Sequence, residues 1–306
     1  MSLPLSLSIL TVSLGFLPSA WLWYARARGR RDWLLTLATA GGVVTFAYAA
    51  GPWLFVTYWL RYVALATYGA VAYASYGSRG RLVPAAPPKA PGLNLLLRAV
   101  ALVTVLALNG LALTAGMAPD GAVEMAFPLP HGTYSVLQGG NSIISNPFHR
   151  MSATERFAVD LVKLNPYGAR ANGLAPAALA AYAVFDDSVM APCDGTVTEA
   201  VDGAADNAPG RANVAMPAGN HIILRCDGTD LLLAHLREGS VTVHPDQRVI
   251  PGQLVGRVGN SGNTSEPHLH ISASSGGRAV PLTFGGRFLS LNSVYHAGGS
   301  RTGRVQ

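Results

Sequence analysis

The stretch SGNTSEPHLHIS, residues 261–272, places His268 and His270 two positions apart, directly after a run of turn-forming residues. In an extended strand, residues i and i+2 point to the same face. A strand here would therefore direct both imidazoles to one spot, with Leu269 facing the other way. All eight histidines of the chain lie beyond residue 116, so any histidine chemistry belongs to the C-terminal part.

Two further polar residues stand in apolar, strand-like surroundings: His235 in LLLAHL and Asp160 in FAVDL. A single histidine among aliphatic residues is more often a core residue than a ligand. A His-x-His pair together with a third histidine and an aspartate from other strands favours a metal site instead. Imidazole and carboxylate suit tetrahedral zinc, which three protein ligands hold while a water, its pKa lowered toward about 7, takes the fourth position. The remaining histidines would then move protons.

The C-terminal part alternates short β-branched segments with turns, supplied by Asp-Gly and Pro-Gly pairs. An Ala-rich stretch, residues 173–184, predicts a short helix or a loop. The pattern therefore predicts a mostly antiparallel β domain with one core. The predicted strands are residues 156–162, 221–226, 230–236, 240–243, 253–259 and 268–274.

The first third of the chain has a different composition. Residues 1–116 carry nine Lys or Arg and one acid, a net charge of +8, whereas residues 117–306 carry 13 basic and 15 acidic side chains, a net charge of −2. A near-neutral C-terminal part gives no reason to expect nucleic acid binding. About 20 apolar residues suffice to cross a bilayer, so the sequence predicts a transmembrane bundle of four helices. The four apolar runs are residues 3–24, 33–50, 54–76 and 93–116.

The basic residues between these runs predict an orientation. They lie in residues 25–32 and 77–92, and basic loops stay in the cytoplasm. The C-terminal domain is then expected outside the cytoplasmic membrane. No Lys or Arg precedes Arg26, which favours a retained span over a cleaved signal peptide. Arg61 and Arg98 are expected to extend to the membrane interface.

Several ordered segments resemble the M23, or LytM-type, zinc endopeptidases, which cut cell-wall peptides. The segments are AVDLV, VMAPCDGTVTEAV (189–201), GNHIILRC (219–226) and PGQLVGRVGNSGNTSEPHLHI (251–271). The resemblance implies zinc as cofactor, with Asp160 and His270 as ligands and His235 and His268 in catalysis. It also implies peptidoglycan peptides as the substrate.

One position departs from this family. Its usual motif is H-x-x-x-D, but Arg156 stands four residues before Asp160, and a guanidinium offers no lone pair to a metal. ERFAVD is similar to a branch in which an Asn-rich segment with a histidine lies upstream. His149 is therefore the expected third ligand, with His131 as the weaker alternative.

The expected organisation is a membrane region at 1–116, a linker at 117–140, the metallopeptidase domain at 141–285 and a tail at 286–306. An inactive LytM-like domain that binds peptidoglycan or regulates a partner hydrolase is the alternative. Biotinyl and lipoyl carriers share the turns but need a lysine at a hairpin tip, where this domain has none; its only lysine is Lys163. Cys193 and Cys226 are the only cysteines, and a disulfide is favoured slightly over two buried thiols.

Overall fold

The computed structural model describes residues 3–25, 29–77 and 91–298. The Pro-rich part of the second basic loop, and Arg26 and Arg28 of the first, therefore lie outside the described residues. Four helices occupy the first third of the chain. They are α1 (Leu3–Tyr24), α2 (Arg30–Ala50), α3 (Leu60–Gly77) and α4 (Pro91–Leu113).

Three segments of the described chain are long and apolar enough to cross a membrane: Leu3–Tyr24, Arg30–Ala50 and Gly92–Gly116. By length and composition, the described chain therefore has three candidate spans, one fewer than the predicted four. The third apolar run begins with a 3-10 turn, Trp53–Phe55, so only 18 residues remain for α3. Arg61 and four tyrosines then lower the mean hydropathy of this shorter helix.

Arg61 and Arg98 both contact other side chains of the helical region. Arg61 is 6% exposed, and its guanidinium carbon lies 3.8 Å from the centroid of the Tyr48 ring. Arg98 pairs with Asp32 of α2. Aromatic rings and a carboxylate thus hold these two guanidinium groups.

The connection between α2 and α3 packs against the β domain. Leu54 and Phe55 join Val162 and Leu164 in one buried apolar cluster. The Asn292 side chain donates hydrogen bonds to the carbonyl oxygens of residues 49 and 51, at 3.1 and 2.8 Å. The C-terminal end of α2 and the N-terminal end of α3 therefore lie on the domain side of the bundle.

The domain contains fourteen strands within the described residues. The main sheet has nine, in the order β14-β2-β3-β10-β7-β6-β5-β8, with β11 beside β10, and every pairing in it is antiparallel. Smaller sheets are β1-β12-β13 and β4-β9. The strands are β1 (Val123–Met125), β2 (Gly132–Gln138), β3 (Val159–Lys163), β4 (Ser188–Met190), β5 (Gly195–Val201), β6 (Asn220–Cys226), β7 (Thr229–Leu236), β8 (Arg248–Val249), β9 (Leu254–Arg257), β10 (Leu269–Ser275), β11 (Arg278–Ala279), β12 (Leu282–Phe284), β13 (Arg287–Phe288) and β14 (Val294–Ala297).

One face of the central strands forms the core. Ile222 and Leu224 of β6, Leu231 and Leu233 of β7 and Ile271 of β10 are fully buried and belong to one cluster. Each such side chain contributes about 1.5–3 kcal/mol through burial. The predicted mostly antiparallel β domain is confirmed.

The domain extends beyond the predicted limits. Strands β1 and β2 lie in the expected linker 117–140, and β13 and β14 lie in the expected tail. Tyr134 and Val136, within the expected linker, are buried in the sheet. Residues 240–243 form no strand: the amide of Val241 donates to the carboxylate of Asp202, although the amide of Thr242 donates to the Val255 carbonyl of β9. Residues 173–184 are turns with one 3-10 turn, Leu179–Ala181.

Cys193 and Cys226 form a disulfide, with Cα atoms 6.1 Å apart, which joins the loop before β5 to the end of β6. Closing a loop over a sequence separation of 33 stabilises the fold by about 3–4 kcal/mol in the chain-entropy treatment.

Because both cysteines are in the bridge, alkylation without reductant should add no alkyl group to the intact mass of the folded protein. Alkylation after reduction and unfolding should add two, and two additions without reductant would disprove the bridge.

Candidate metal centre

The order of strands in the main sheet brings the predicted residues together. Strand β10 lies between β3 and β7, with His270 opposite Asp160 on one side and opposite Ala234 on the other. His235 follows Ala234 directly. Three segments that are far apart in the sequence therefore meet at one end of these strands.

His149, Asp160 and His270 form a cluster whose potential ligand atoms all lie within 4.8 Å of one another. His270 Nδ1 is 3.0 Å from Asp160 Oδ1, and His149 Nε2 is 3.6 Å from Asp160 Oδ2. The side chains of Asp160 and His270 are 3% and 6% exposed. His149 reaches the cluster from a single 3-10 turn, His149–Met151, between β2 and β3.

The buried side chain of Asn146 holds this turn in place. Its Oδ1 accepts a hydrogen bond from His149 Nδ1 at 2.8 Å, and its amide nitrogen donates to the Ala158 carbonyl at 3.0 Å and the Arg156 carbonyl at 3.3 Å. The proton on His149 is thereby assigned to Nδ1. The lone pair on Nε2 is left directed toward Asp160, as a metal ligand requires.

The cluster fits a divalent cation such as zinc in two ways. Two ligands of a tetrahedral zinc ion, each about 2.0–2.2 Å from the metal, lie roughly 3.3 Å apart, between the 3.0 and 3.6 Å separations found here. His270 Nε2 is buried and has no hydrogen-bond partner. Glu155 Oε1 lies 3.7 Å from this nitrogen. If Nδ1 bound a metal, Nε2–H would face that carboxylate, which is a common support for ligating histidines.

Burial, nearby charges and hydrogen bonds shift the pKa values of Asp160, His149 and His270. Burial works to raise the pKa of Asp160, but the nearby His149 and His268 and the hydrogen bond from His270 outweigh it and hold the pKa well below its usual value. Burial lowers the pKa of His149, which favours the unprotonated form that a metal ligand needs. Burial also works to lower the pKa of His270, yet the hydrogen bond and the charge of Asp160 raise it.

His235 lies in a distorted part of β7. Its φ is 64°, a left-handed conformation that is uncommon for a residue other than glycine. The pairs Asn220–Leu236 and Ile222–Leu233 leave two residues of β7 opposite one residue of β6, which is a β-bulge. Such bulges redirect a side chain. His235 Nδ1 donates to the Ser261 carbonyl at 2.9 Å, which leaves Nε2 without a proton.

Two glycines of the motif segments allow this contact. A Cβ added to Gly219 would lie 2.4 Å from the Ser261 carbonyl, and one added to Gly262 would lie 2.4 Å from the Gly219 nitrogen. Ser261 Oγ also accepts from the Asn220 amide at 2.9 Å and donates to the Leu236 carbonyl at 2.6 Å. The close approach of GNSGN to β6 therefore fixes the carbonyl that orients His235.

His268 is oriented in the same manner. Its Nδ1 donates to the Glu266 carbonyl at 2.8 Å, and its Nε2 faces Asp160 Oδ1 at 3.5 Å. The ring centroids of His235 and His268 are 4.8 Å apart. Burial, with repulsion from His268 and His270, lowers the pKa of His235 well below its usual value. The two imidazoles therefore stand side by side at the edge of the candidate metal site, where they can accept or donate protons.

Residues 179–281 match the model of peptidase family M23. The C-terminal part of the chain carries an M23 peptidase domain. The matched segment contains His235, His268 and His270, whereas Asp160 and His149 lie upstream of it. In the structure, β3 and the turn before it complete the cluster of the M23 domain.

Solved structures include similar domains. A zinc-containing peptidase from Vibrio cholerae is 18% identical, with 54% of this chain and 39% of that chain covered and a TM-score of 0.32. A putative M23 peptidase from Pseudomonas aeruginosa is 16% identical, with 65% and 62% covered and a TM-score of 0.30. The catalytic domain of lysostaphin from Staphylococcus simulans is 19% identical, with 51% and 85% covered and a TM-score of 0.26. No curated protein matches the chain.

The β domain brings all five predicted site residues into one place. His131 is not among them: its ring lies beside Gly298, at the end of β14. Arg156 is exposed, with its guanidinium carbon 5.5 Å from the centroid of Phe157. Sequence reasoning missed Asn146, Gln138 and Ser261, which contact the site residues. The only available signal was the position of Asn146 three residues before His149.

Proposed function

We propose that the protein is a membrane-anchored zinc endopeptidase that hydrolyses peptide bonds of peptidoglycan outside the cytoplasm. One observation carries the proposal: three potential ligands and two oriented imidazoles converge on one buried site, where His270 Nε2 has no partner. An M23 domain makes a peptide the natural substrate. Such a site has the parts that metal-assisted hydrolysis needs.

The roles of the residues follow from their contacts. His149, Asp160 and His270 would hold the metal, which supplies Lewis acidity toward the peptide carbonyl and toward water. His268 and His235 each have Nδ1 bound to a carbonyl, so Nε2 is the atom that receives a proton or donates one to a developing oxyanion. Gln138 donates to Asp160 Oδ2 at 3.2 Å and holds the carboxylate in position.

The zinc content of the purified full-length protein tests the assignment. We expect about one zinc per chain, since three ligands suffice for a catalytic zinc site. We also expect the metal-loaded protein to release peptides from peptidoglycan, as detected by mass analysis, and a chelator to abolish the release. A protein without bound zinc that releases no peptide but still binds peptidoglycan would be an inactive binding domain instead.

We propose that the helical region anchors the domain in the cytoplasmic membrane. Helix α2 begins at Arg30 and Arg31, and its other end contacts the β domain. Helix α3 begins beside the domain at Leu60 and ends at Gly77, before the second basic loop, so we propose that it also crosses the bilayer although it is less apolar than the three candidate spans. Basic residues remain in the cytoplasm, and the domain then lies on the side opposite both basic loops. Alkaline phosphatase fused after residue 116 should therefore be active, and a fusion within residues 77–92 should be inactive. The reverse pattern would contradict both the orientation and the cell-wall substrate.

A further inference from the structure

A cavity of about 670 Å³ separates the β domain from the ends of the membrane helices. Its volume lies within the range of ligand pockets, about 300–1,000 Å³. Most of its wall is apolar, including Leu3, Leu7, Phe55, Leu137 and Leu291. Nothing in the proposed hydrolysis of a soluble peptide needs an apolar cavity at this position.

One end of the cavity is lined by neighbours of the candidate metal site, although none of the five site residues lines it. Gln138, which lines the wall, donates to Asp160 Oδ2 at 3.2 Å. Glu266, another lining residue, accepts a hydrogen bond from His268 through its backbone carbonyl. Phe148 lines the cavity next to His149 and is 77% exposed, so the cavity has an apolar rim beside the cluster.

The other end is built from membrane helices. Leu3, Pro4 and Leu7 belong to the first turns of α1, and Ala50 is the last residue of α2. Both helices are candidate spans, and the ends of a span lie at the surface of the bilayer. The cavity therefore runs from Gln138 and Glu266, which hydrogen-bond to the site residues Asp160 and His268, to apolar groups at the membrane surface. A ligand that matches this gradient has a polar peptide at one end and a hydrocarbon chain at the other.

We infer that the substrate is a peptide attached to a lipid, with the hydrocarbon chain in this cavity and the peptide at the metal site. This inference rests on the proposed function and narrows its substrate class to peptides that are still bound to the membrane. The apolar cavity would hold the hydrocarbon chain by removing its surface from water.

Photo-crosslinking of the full-length protein tests the inference. The probe is a peptidoglycan stem peptide acylated with a fatty chain that carries a diazirine. The matching probe without peptide is a phospholipid with the same chain. Cross-linked residues are mapped by mass spectrometry. We expect the peptide probe to label cavity residues such as Leu137 and Phe55, and the phospholipid probe to label only the exposed face of α4.

Two alanines provide matched variants. Ala175 and Ala178 are both exposed, but only Ala175 lines the cavity. Ala175→Trp should abolish cavity labelling by narrowing the cavity, whereas Ala178→Trp should leave the labelling unchanged. Labelling of the helix faces alone, equal cavity labelling by the phospholipid, or unchanged labelling of Ala175→Trp would each overturn the inference.

Failure of this inference differs from failure of the proposed function. Release of soluble peptides from peptidoglycan without cavity labelling would leave the zinc peptidase intact and reject only the lipid-attached substrate. Cavity labelling by the peptide probe in a protein that binds no zinc would reject the peptidase and support a site for lipid-attached peptides.

Discussion

Replacing His149 with alanine is expected to remove both bound zinc and hydrolytic activity while the domain remains folded. Asp160 and His270 alone give two ligands, one fewer than catalytic zinc sites use. His149 lies on a short turn and its side chain is 13% exposed, so its loss leaves no large cavity in the core. Metal analysis of the purified variant and the release of peptidoglycan peptides measure the two effects.

Two further variants make this test specific. Asn146→Ala removes the group that orients His149, and loss of such a supporting contact lowers metal affinity by about 10–100-fold. Arg156→Ala is the control, and it should keep zinc and activity because Arg156 is exposed and lies outside the ligand cluster. Full zinc in His149→Ala, with Arg156→Ala unchanged, would show that another residue completes the site.

Strand periodicity predicted only that His268 and His270 share a face, and the resemblance to the M23 family implied Asp160 and His270 as ligands. Asp160 and His270 stand opposite each other in the antiparallel pair of β3 and β10. His149 could be predicted from the need for a third ligand and from the likeness of ERFAVD to a branch with an upstream histidine. Its placement depends on Asn146, which bonds to two backbone carbonyls that the sequence does not identify. His235 lies in a bulge, and no pattern in LLLAHL indicates its positive φ.

The fold was predicted less completely at its edges. Strands β2 and β14 pair with each other although 155 residues lie between Gln138, the last residue of β2, and Val294, the first residue of β14. Pairing over such a distance leaves no local signal in the sequence. The membrane region shows a similar effect. The apolar run 54–76 is interrupted because Leu54 and Phe55 are buried against the β domain rather than continuing into α3.

A buried ion pair connects this interrupted run to the site. Arg170 binds the Glu266 carboxylate through two nitrogens, at 2.7 and 2.8 Å, and its guanidinium carbon lies 3.9 Å from the centroid of the Phe55 ring. The Glu266 carbonyl in turn accepts from His268. The connection between α2 and α3 is therefore linked through Arg170 to the segment that orients His268, and it supports the site.

Replacing His268 with alanine is expected to give the opposite combination to His149→Ala: zinc is retained and activity is lost. The three ligands remain in place, because Nε2 of His268 faces Asp160 at 3.5 Å without belonging to the ligand cluster. Loss of a positioned proton donor or acceptor typically lowers the rate by about 10²–10⁴-fold. Metal analysis and peptide release separate the two effects.

His235→Ala should behave like His268→Ala, since both histidines present Nε2 at the same edge of the site. The exposed His244 provides the control, and His244→Ala should keep both zinc and activity. If His268→Ala or His235→Ala lost zinc as completely as His149→Ala, the replaced histidine would be a ligand and the division of roles would be wrong. If both kept full activity, proton transfer at this site would depend on other groups, and the side-by-side imidazoles would serve only to pack the end of the sheet.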